Sequence, residues 1–385
     1  MFTTSLNLTE NRVHIIGGGI AGLSVGILLS RLGVQVSCYE KRSTDAFAGM
    51  GFLLTPNGVK MIKHIFGAAW KTETFFTELS CLTLNNLETG ESKTQVADEM
   101  WGVLRPILTS RLEELFISAG GVLLTEYSLS SISFSESPPH RIERLHFITP
   151  KGDLELKAEM VIGADGISSK LRQLIFKSSI ISESSLTEYV GLNAIPKNLN
   201  IDRSKRELLK HYWPSRRQAF GYMILPNDQL IWYAQMRFTE ELPAEDGDPR
   251  RSYLLERYKD WPEDVATILN TCSFERTYRW DTRDLVVMPT AFKSGVMLIG
   301  DAAHASLTIS SQGVSSALED AVVFAQKFNL FIPSSSPSVD QWDQLCKDFD
   351  ALRHSTWLRR QNEARRLQDL FLSAKLDSGV PFVRS

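Results

Sequence analysis

Three glycines near the start of the chain follow the spacing Gly17-x-Gly19-x-x-Gly22, between the apolar segment VHII and the helix-like segment LSVGILL. In such a turn the first glycine makes a tight bend, the second lets a pyrophosphate approach the backbone, and the third lets helix and strand pack closely. Glu40 ends the next apolar segment, and its carboxylate can accept hydrogen bonds from ribose hydroxyls. The pattern predicts a dinucleotide site at a helix N-terminus, without distinguishing NAD from FAD. The residues predicted to contact the dinucleotide are Gly17, Gly19, Ile20, Ala21, Gly22, Glu40 and Lys41.

Two further motifs place acidic residues directly after apolar segments. In VIGADGISSKLR, Asp165 is followed at fixed spacing by Ser169 and Arg172, and in VMLIGDAAHASLTISSQG, Asp301 follows an apolar run. Asp-Gly on its own is a common turn pair, but the spacing to Ser169 and Arg172 favours a binding role. His304, close behind Asp301, is expected to be structural rather than a general base.

The elements that must position these groups are buried strands followed by helices. Short apolar runs typical of buried strands in an α/β sheet occur at VHII, VQVSCYE, the VIG segment and VMLIG. Residues 182–286 contain mostly strand-like segments and one helical stretch, PRRSYLLERYKDWPEDVATILN. The sequence predicts a Rossmann-like domain with an inserted, mainly antiparallel β-sheet domain and C-terminal helices. The predicted dinucleotide-binding domain comprises residues 1–75, 101–181 and 287–332, the substrate domain residues 76–100 and 182–286, and the C-terminal helical segment residues 333–385.

Composition and charge exclude several classes of protein. Asp plus Glu number 45 and Lys plus Arg 42, a net charge of -3 that is too balanced for a nucleic-acid-binding surface. The four cysteines lie far apart with no C-x-x-C pair, which predicts neither a metal site nor a disulfide framework. No window holds the roughly 18 uninterrupted apolar residues of a membrane helix, and no basic export signal is visible. We therefore expect a cytoplasmic monomer or homodimer without nucleic-acid, metal or membrane partners.

The three motifs, in this order over nearly the whole chain and together with the segment AGMGFLLTPNGVKMI, make the sequence similar to the class A flavoprotein monooxygenases, the para-hydroxybenzoate hydroxylase-like family. The resemblance implies that the dinucleotide-binding domain is an FAD-binding domain and that FAD is held noncovalently. It also implies NAD(P)H as a transient co-substrate and hydroxylation by O2 of an electron-rich aromatic or polycyclic small molecule through a flavin C4a-hydroperoxide.

The resemblance also implies roles for individual residues. Asp301 would bind a ribityl hydroxyl of FAD, and backbone N–H groups at Gly313 and Val314 would face the flavin pyrimidine ring from a helix N-terminus. Arg105 would reach the ribityl and phosphate region, and Asp165 would support both FAD and the nicotinamide cofactor. The sequence departs from the family between residues 307 and 311, where it lacks the usual prolines and has Ser311 in place of a glycine.

The substrate pocket is expected between the flavin and the sheet of the inserted domain, where interdomain clefts commonly bind ligands. Its polar candidates are Arg216, Arg217, Tyr222, Tyr233 and Gln235. Because neighbouring residues of a strand point to opposite faces, at most one of the two arginines should reach the cavity.

Two alternatives stay open at this stage. An FAD-dependent reductase would share the same motifs, and a catalytically impaired flavin-binding protein would explain the altered loop. A halogenase is disfavoured because its Trp-x-Trp-x-Ile-Pro signature is missing, and an NAD-dependent dehydrogenase leaves Asp165 and Asp301 without a role. NAD(P)H-driven oxygen consumption with a substrate distinguishes the monooxygenase from these alternatives.

Overall fold

The structure is a computed structural model that describes residues 12–43, 50–176, 179–202, 204–238, 248–332 and 335–374. The strands in these ranges are β1 (Val13–Ile16), β2 (Val36–Glu40), β3 (Gly51–Leu54), β4 (Phe76–Glu78), β5 (Cys81–Asn86), β6 (Ser92–Val96), β7 (Trp101–Leu104), β8 (Val122–Thr125), β9 (Ser128–Phe134), β10 (Ile142–Thr149), β11 (Gly152–Lys157), β12 (Met160–Gly163), β13 (Ile181–Ala194), β14 (Glu207–Trp213), β15 (Gln218–Leu225), β16 (Gln229–Arg237), β17 (Thr277–Leu285), β18 (Phe292–Lys293) and β19 (Val296–Leu298). The α-helices are α1 (Ile20–Arg31), α2 (Pro56–Phe66), α3 (Arg105–Ser118), α4 (Lys170–Ile175), α5 (Asp248–Arg257), α6 (Glu263–Thr271), α7 (Asp301–His304), α8 (Gly313–Phe331) and α9 (Val339–Leu372).

The first sheet has the strand order β18-β19-β12-β1-β2-β8 and is parallel except at β18. Every residue of β1, β2, β12 and β19 is buried, because helices cover the faces of the sheet and neither face of these strands is exposed to solvent. Helix α1 packs against α3 and α8. The carboxyl ends of β1, β12 and β19 therefore bring the three sequence motifs to one edge of the sheet, as predicted for a Rossmann-like fold.

The second large sheet has the order β17-β13-β16-β15-β14-β5-β6 and is antiparallel except between β14 and β5. One face packs against α5 and α6 through an apolar cluster that includes Phe220, Trp232 and Tyr258. Alternate residues of the same strands point to the opposite face, which borders a cavity. The predicted mixed α/β fold with an inserted, mainly antiparallel sheet is confirmed.

The helical stretch predicted over PRRSYLLERYKDWPEDVATILN is present as two helices. The structure divides it into α5 and α6, with Pro262 as the N-cap residue of the second helix. Proline disfavours helical backbone at the preceding residue and has no N–H to continue the helix. The turn lets Tyr258 and Trp261 pack on each other, with ring centroids 4.7 Å apart, beneath the sheet.

Helix α9 crosses the molecule and contacts both large sheets. Trp342 donates a hydrogen bond of 3.0 Å to the carbonyl oxygen of Gly295 beside β19, and Arg365 pairs with Asp284 of β17 at 2.7 Å. Near its end, Leu367 lines the cavity. The domain boundaries stay predictions, and within the predicted substrate domain β4 pairs with β7, which lies in the predicted FAD-binding domain.

Among the described helices, none combines the length and the apolar character needed to cross a membrane.

Candidate functional site

A cavity of about 550 Å³ lies between the motif-bearing edge of the first sheet and the open face of the second. Its volume falls within the range of small-molecule and cofactor sites. Gly19, Ile20, Ala21, Arg105, Asp301, Gly313 and Val314 line it from the first domain. Glu188, Lys210, Tyr233 and Gln235 line it from the seven-stranded sheet. The structure thus brings most of the predicted FAD contacts and two of the five predicted substrate contacts into one space.

The three glycines of the first motif have different local surroundings. A Cβ atom at Gly22 would stand 2.0 Å from the carbonyl oxygen of Gly17, and one at Gly17, whose φ is +107°, would stand 2.4 Å from the carbonyl oxygen of Ala164. At Gly19 a Cβ atom would meet no protein atom within 4 Å. Gly17 and Gly22 therefore serve the packing of strand and helix, whereas Gly19 leaves open space on the cavity side.

Two helix N-termini face the cavity without a capping side chain. Helix α1 begins after Gly19 and α8 after Gln312, and neither has an acidic residue in its first turn. The first N–H groups of a helix have no acceptor within the helix, and the helix dipole makes this end positive. A Cβ atom at Gly313 would also meet no atom within 4 Å. These two ends fit the pyrophosphate and the electron-rich pyrimidine edge of FAD.

Glu40 is buried at the end of β2, and its carboxylate closes the glycine turn. It accepts hydrogen bonds from the N–H of Gly18 at 2.8 Å and from the N–H of Arg42 at 3.0 Å. Lys41 is exposed to solvent. Neither Glu40 nor Lys41 lines the cavity, so their contacts with the cofactor stay predictions.

Side chains of the second motif form hydrogen bonds with each other and with nearby backbone groups. One of these hydrogen bonds connects the second motif with the third. Asp165 accepts hydrogen bonds from the Ser169 hydroxyl at 2.5 Å and from the Leu171 N–H at 3.2 Å, and its burial raises the pKa of its carboxyl. Arg172 is fully buried and donates to the carbonyl oxygen of Ala302 at 2.9 Å. Asp165 itself does not line the cavity, although its neighbour Gly166 does. The predicted contact of Asp165 with a cofactor stays a prediction.

Asp301 and Arg105 are oppositely charged residues that line the cofactor side of the cavity. Burial lowers the pKa of Arg105, and the nearby Asp301 carboxylate opposes this effect. Asp301 begins α7 after Gly300, whose φ is +56°. A Cβ atom at Gly300 would stand 2.9 Å from Cβ of Ala21, so glycine lets the third motif approach the first.

A buried carboxylate that the sequence analysis missed holds this turn in place. Asp320 of α8 accepts hydrogen bonds from the Gly300 N–H at 2.9 Å, from His304 Nε2 at 2.5 Å, and from Arg353 Nε and Trp357 Nε1, each at 2.9 Å. Burial alone raises the pKa of Asp320, but His304 and Arg353 together hold it well below its ordinary value. His304 stacks on Trp357 and does not line the cavity, in agreement with the structural role expected for it.

The loop that departs from the family pattern adopts a compact turn. Residues Thr308–Ser310 form a short 3-10 helix, and Ser310 Oγ donates to the carbonyl oxygen of Leu307 at 3.1 Å. Ser311 then takes the left-handed conformation with φ +53°, where a side chain is strained. The backbone at this position therefore favours glycine, the residue that the family resemblance implies here.

Glycine at position 311 is accordingly expected to stabilise the protein. Relief of the left-handed strain, offset by the greater entropy of the unfolded chain, should raise the free energy of unfolding of Ser311→Gly by up to about 1 kcal/mol. Urea denaturation of the FAD-loaded protein measures this. The matched control is Ser310→Gly, which removes a buried hydroxyl from a residue with negative φ and should destabilise. A lower stability for Ser311→Gly would refute the strain.

The seven-stranded sheet contributes a row of polar groups to the cavity. Tyr233 and Gln235 are both on β16 and point to the cavity as alternate residues. Gln235 accepts a hydrogen bond from Lys210 Nζ at 2.7 Å and donates one to Glu188 Oε1 at 2.6 Å. Lys210 and Glu188 escaped the sequence analysis because only the pairing of β13, β14, β15 and β16 brings them together.

The other three predicted substrate residues lie outside the cavity lining. Tyr222 is on the opposite face of the sheet and donates to Asp264 Oδ2 at 2.7 Å. Arg216 lies over the ring of Trp213, with its guanidinium carbon 3.7 Å from the ring centroid, and Arg217 donates to a carbonyl oxygen of α9. The expectation that the two arginines alternate on a strand does not hold, since they precede Gln218, where β15 begins. Arg217 has φ +51°, in the turn between β14 and β15.

Comparisons with known proteins agree with this geometry. The family model described as FAD binding domain matches residues 10–68 and 144–349. The chain is 22% identical over 322 residues to the FAD-dependent urate hydroxylase of Mycolicibacterium vanbaalenii, covering 82% of this chain and 79% of the relative. It is 26% identical over 368 residues to the 3-amino-4-hydroxybenzoate 2-monooxygenase PtnB3 of Streptomyces platensis, covering 89% and 85%.

Solved structures share the fold over nearly the whole chain. Klebsiella pneumoniae HpxO complexed with FAD and uric acid matches with a TM-score of 0.79 and 20% identity, covering 95% of this chain and 90% of that one. CtdE in complex with FAD and its substrate 4 matches with a TM-score of 0.81 and 19% identity, covering 96% and 91%.

Proposed function

The chain belongs to the para-hydroxybenzoate hydroxylase-like class A family of FAD-dependent monooxygenases, and we propose that it hydroxylates an electron-rich aromatic small molecule bound in the cavity. One observation carries this proposal. A single cavity joins the uncapped N-termini of α1 and α8, the Asp301–Arg105 pair, and a sheet face that presents Tyr233 and Gln235. A cofactor and a ring-shaped substrate can therefore lie side by side in one continuous space.

The first domain offers groups suited to each part of FAD. The N-terminus of α1 beside Gly19 would hold the pyrophosphate, Glu40 the adenosine ribose, and Asp301 with Arg105 the ribityl chain. The N–H groups of Gly313 and Val314 would face the pyrimidine ring. Bound FAD supplies the oxygen-transfer chemistry, with NAD(P)H and O2 as the co-substrates typical of the family.

The protein itself must orient the substrate and keep water away from the reacting atoms. Apolar side chains of the sheet, among them Leu208, Met223 and Ile231, form the floor of the cavity. Tyr278 and Trp280 of the edge strand β17 line it and are 47% and 49% exposed, which places aromatic rings at its rim. A planar ring would pack between these surfaces. The relatives include a urate hydroxylase and a 6-hydroxynicotinate 3-monooxygenase, which supports a planar, electron-rich substrate.

The proposal is tested by supplying isotopically labelled O2. FAD-loaded protein is screened with hydroxylated aromatic acids, purines and quinolones for accelerated NAD(P)H oxidation, and products are analysed for one added labelled oxygen atom. Turnover without oxygen incorporation would favour the reductase. FAD binding without turnover of any compound would favour the catalytically impaired protein.

Asp301→Ala is expected to weaken FAD binding by about 1–3 kcal/mol, because the hydroxyl groups of FAD would lose the hydrogen bonds that the carboxylate would accept. Titration of FAD-free protein with FAD, followed by flavin fluorescence, measures the affinity. The control is Asp153→Ala at an exposed position of β11, which should bind FAD as the unmodified protein does. In both proteins acid precipitation should leave the yellow cofactor in the supernatant. An unchanged FAD affinity of Asp301→Ala would refute the proposed contact between Asp301 and FAD.

A further inference from the structure

The cavity wall contains a buried lysine that none of the three motifs predicts. Lys210 of β14 is only 7% exposed, and its Nζ donates a hydrogen bond of 2.7 Å to Gln235 Oε1. The amide of Gln235 in turn donates to Glu188 at 2.6 Å. Because Gln235 accepts from a cation on one side and donates to a carboxylate on the other, its orientation is set by its neighbours. The chain of hydrogen bonds fixes the position of the lysine at the cavity surface.

A glycine on the strand between them allows an aromatic hydroxyl to lie next to this lysine. Gly221 of β15 is paired with Lys210 on one side and with Tyr233 on the other. A Cβ atom at Gly221 would stand 2.4 Å from the Tyr233 hydroxyl, so the Tyr233 ring lies over the glycine. The Lys210 ammonium is 5.6 Å from the centroid of that ring. Lys210, Tyr233 and Gln235 thus form one polar patch in an otherwise apolar floor.

The surroundings of Lys210 favour the exchange of its proton near neutral pH. Burial lowers the pKa of Lys210 to about 8, although the Glu188 carboxylate opposes this effect. Burial also raises the pKa of Glu188 and of Tyr233. The other titratable or charged groups that line the cavity are Tyr278, Arg42, Arg105 and Asp301. A buried amine of this kind is suited to act as a base towards a weakly acidic hydroxyl.

We propose that Lys210 binds an acidic hydroxyl of the substrate, a phenol or an enol, and takes its proton. The substrate O–H bond breaks and an N–H bond forms on the neutral amine, which leaves an ammonium hydrogen-bonded to a ring oxyanion with no change in oxidation state. An ionised oxygen makes the ring more electron-rich, as hydroxylation requires. The inference rests on the proposed function, whose substrate class it narrows to aromatic compounds with an ionisable hydroxyl.

The test uses 4-nitrophenol and related nitrophenols, whose visible absorbance reports their own ionisation. FAD-loaded protein is titrated at one pH unit below the pKa of each free phenol. The unmodified protein should bind the phenolate form. Lys210→Met, which has similar bulk and no charge, should bind the neutral phenol and bind it about tenfold or more weakly, the scale of one charge-assisted contact.

Two further variants separate a chemical role from a structural one. Lys210→Arg, a permanent cation, should restore binding of the phenolate, but the binding should no longer change as pH passes through the range where Lys210 titrates. Lys205→Met, at an exposed position before β14, should behave as the unmodified protein. FAD content and near-ultraviolet circular dichroism show that each variant is folded.

Equal nitrophenol spectra with the unmodified protein and with Lys210→Met would overturn the inference, and so would the failure of every nitrophenol to bind. Since these measurements involve no turnover, their outcome is separate from that of the oxygen-labelling experiment. Phenolate binding through Lys210 in a protein that oxygenates no compound would refute the proposed function alone.

Discussion

Alanine at Gly22 is expected to destabilise the folded protein, whereas alanine at Gly19 is expected to leave the stability of the FAD-free protein unchanged and to weaken FAD binding tenfold or more. The added Cβ atom at Gly22 would stand 2.0 Å from the backbone oxygen of Gly17, which no side-chain rotation relieves. Overpacking of this kind costs about 1–3 kcal/mol or more. At Gly19 the added atom meets only open space, and that space is where the pyrophosphate would approach the helix.

The comparison needs two measurements on each variant. Urea denaturation of the FAD-free protein gives the free energy of unfolding, and titration with FAD gives the affinity. If Gly22→Ala does not accumulate as soluble protein, this outcome also supports a large loss of stability. If Gly19→Ala bound FAD as tightly as the unmodified protein, the cofactor would not approach the backbone at this turn.

Asp320→Ala is expected to have the largest effect on stability, about 3–5 kcal/mol, because it removes the fully buried one of the two carboxylates that pair with the buried Arg353 guanidinium and leaves only Glu319. It also removes the acceptor of the Gly300 N–H, of His304 and of the Trp357 indole N–H. Since Gly300 precedes Asp301, the same substitution should lower the affinity for FAD. The control is Asp348→Ala on α9, where the half-buried carboxylate accepts a hydrogen bond from Gln344 and has no other hydrogen bond among the described residues.

The contribution of Asp320 to stability also depends on pH. In the unfolded chain this carboxyl has its ordinary pKa of 3.8, and in the folded protein its pKa is lower. The unfolded state therefore binds the proton more readily, so the contribution is complete above the unfolded pKa and is lost as pH falls through the folded pKa. Unmodified protein should lose stability relative to Asp320→Asn as the pH falls below about 4. A constant difference between the two proteins over that range would contradict this assignment.

The cofactor side could be predicted from the sequence because its chemistry depends on local spacing. Gly17, Gly19 and Gly22 stand in one turn between a strand and a helix, so the chain itself fixes their geometry. The motif also predicts different duties for Gly19 and Gly22, but not which atoms lie opposite their Cα atoms, namely open space at Gly19 and the backbone oxygen of Gly17 at Gly22. In the sequence Asp320 is one of several polar residues of a helix. Only the packing of α9 against α8 brings its hydrogen-bond donors Arg353 and Trp357 to it.

The substrate side could be predicted only in part because it depends on contacts between distant strands. Tyr233 and Gln235 are alternate residues of one strand, so the sequence predicts that both side chains lie on the same face. Lys210 becomes a neighbour of Gln235 only through the register of three strands, which the alternation of each strand alone does not determine. Arg216 and Arg217 have side chains suited to bind a planar anion, but the strand begins at Gln218, directly after them.

The path of α9 limits how modular this protein is. The helix meets α8 through Arg353 and Trp357, and it meets β17 of the other sheet through Gln361 and Arg365. In a chimaera that exchanged only residues 182–286 for those of a relative, the last turns of α9 would pack against residues from a different protein. The inserted sheet and the second half of α9 therefore form one unit of exchange, although more than fifty residues separate them along the chain.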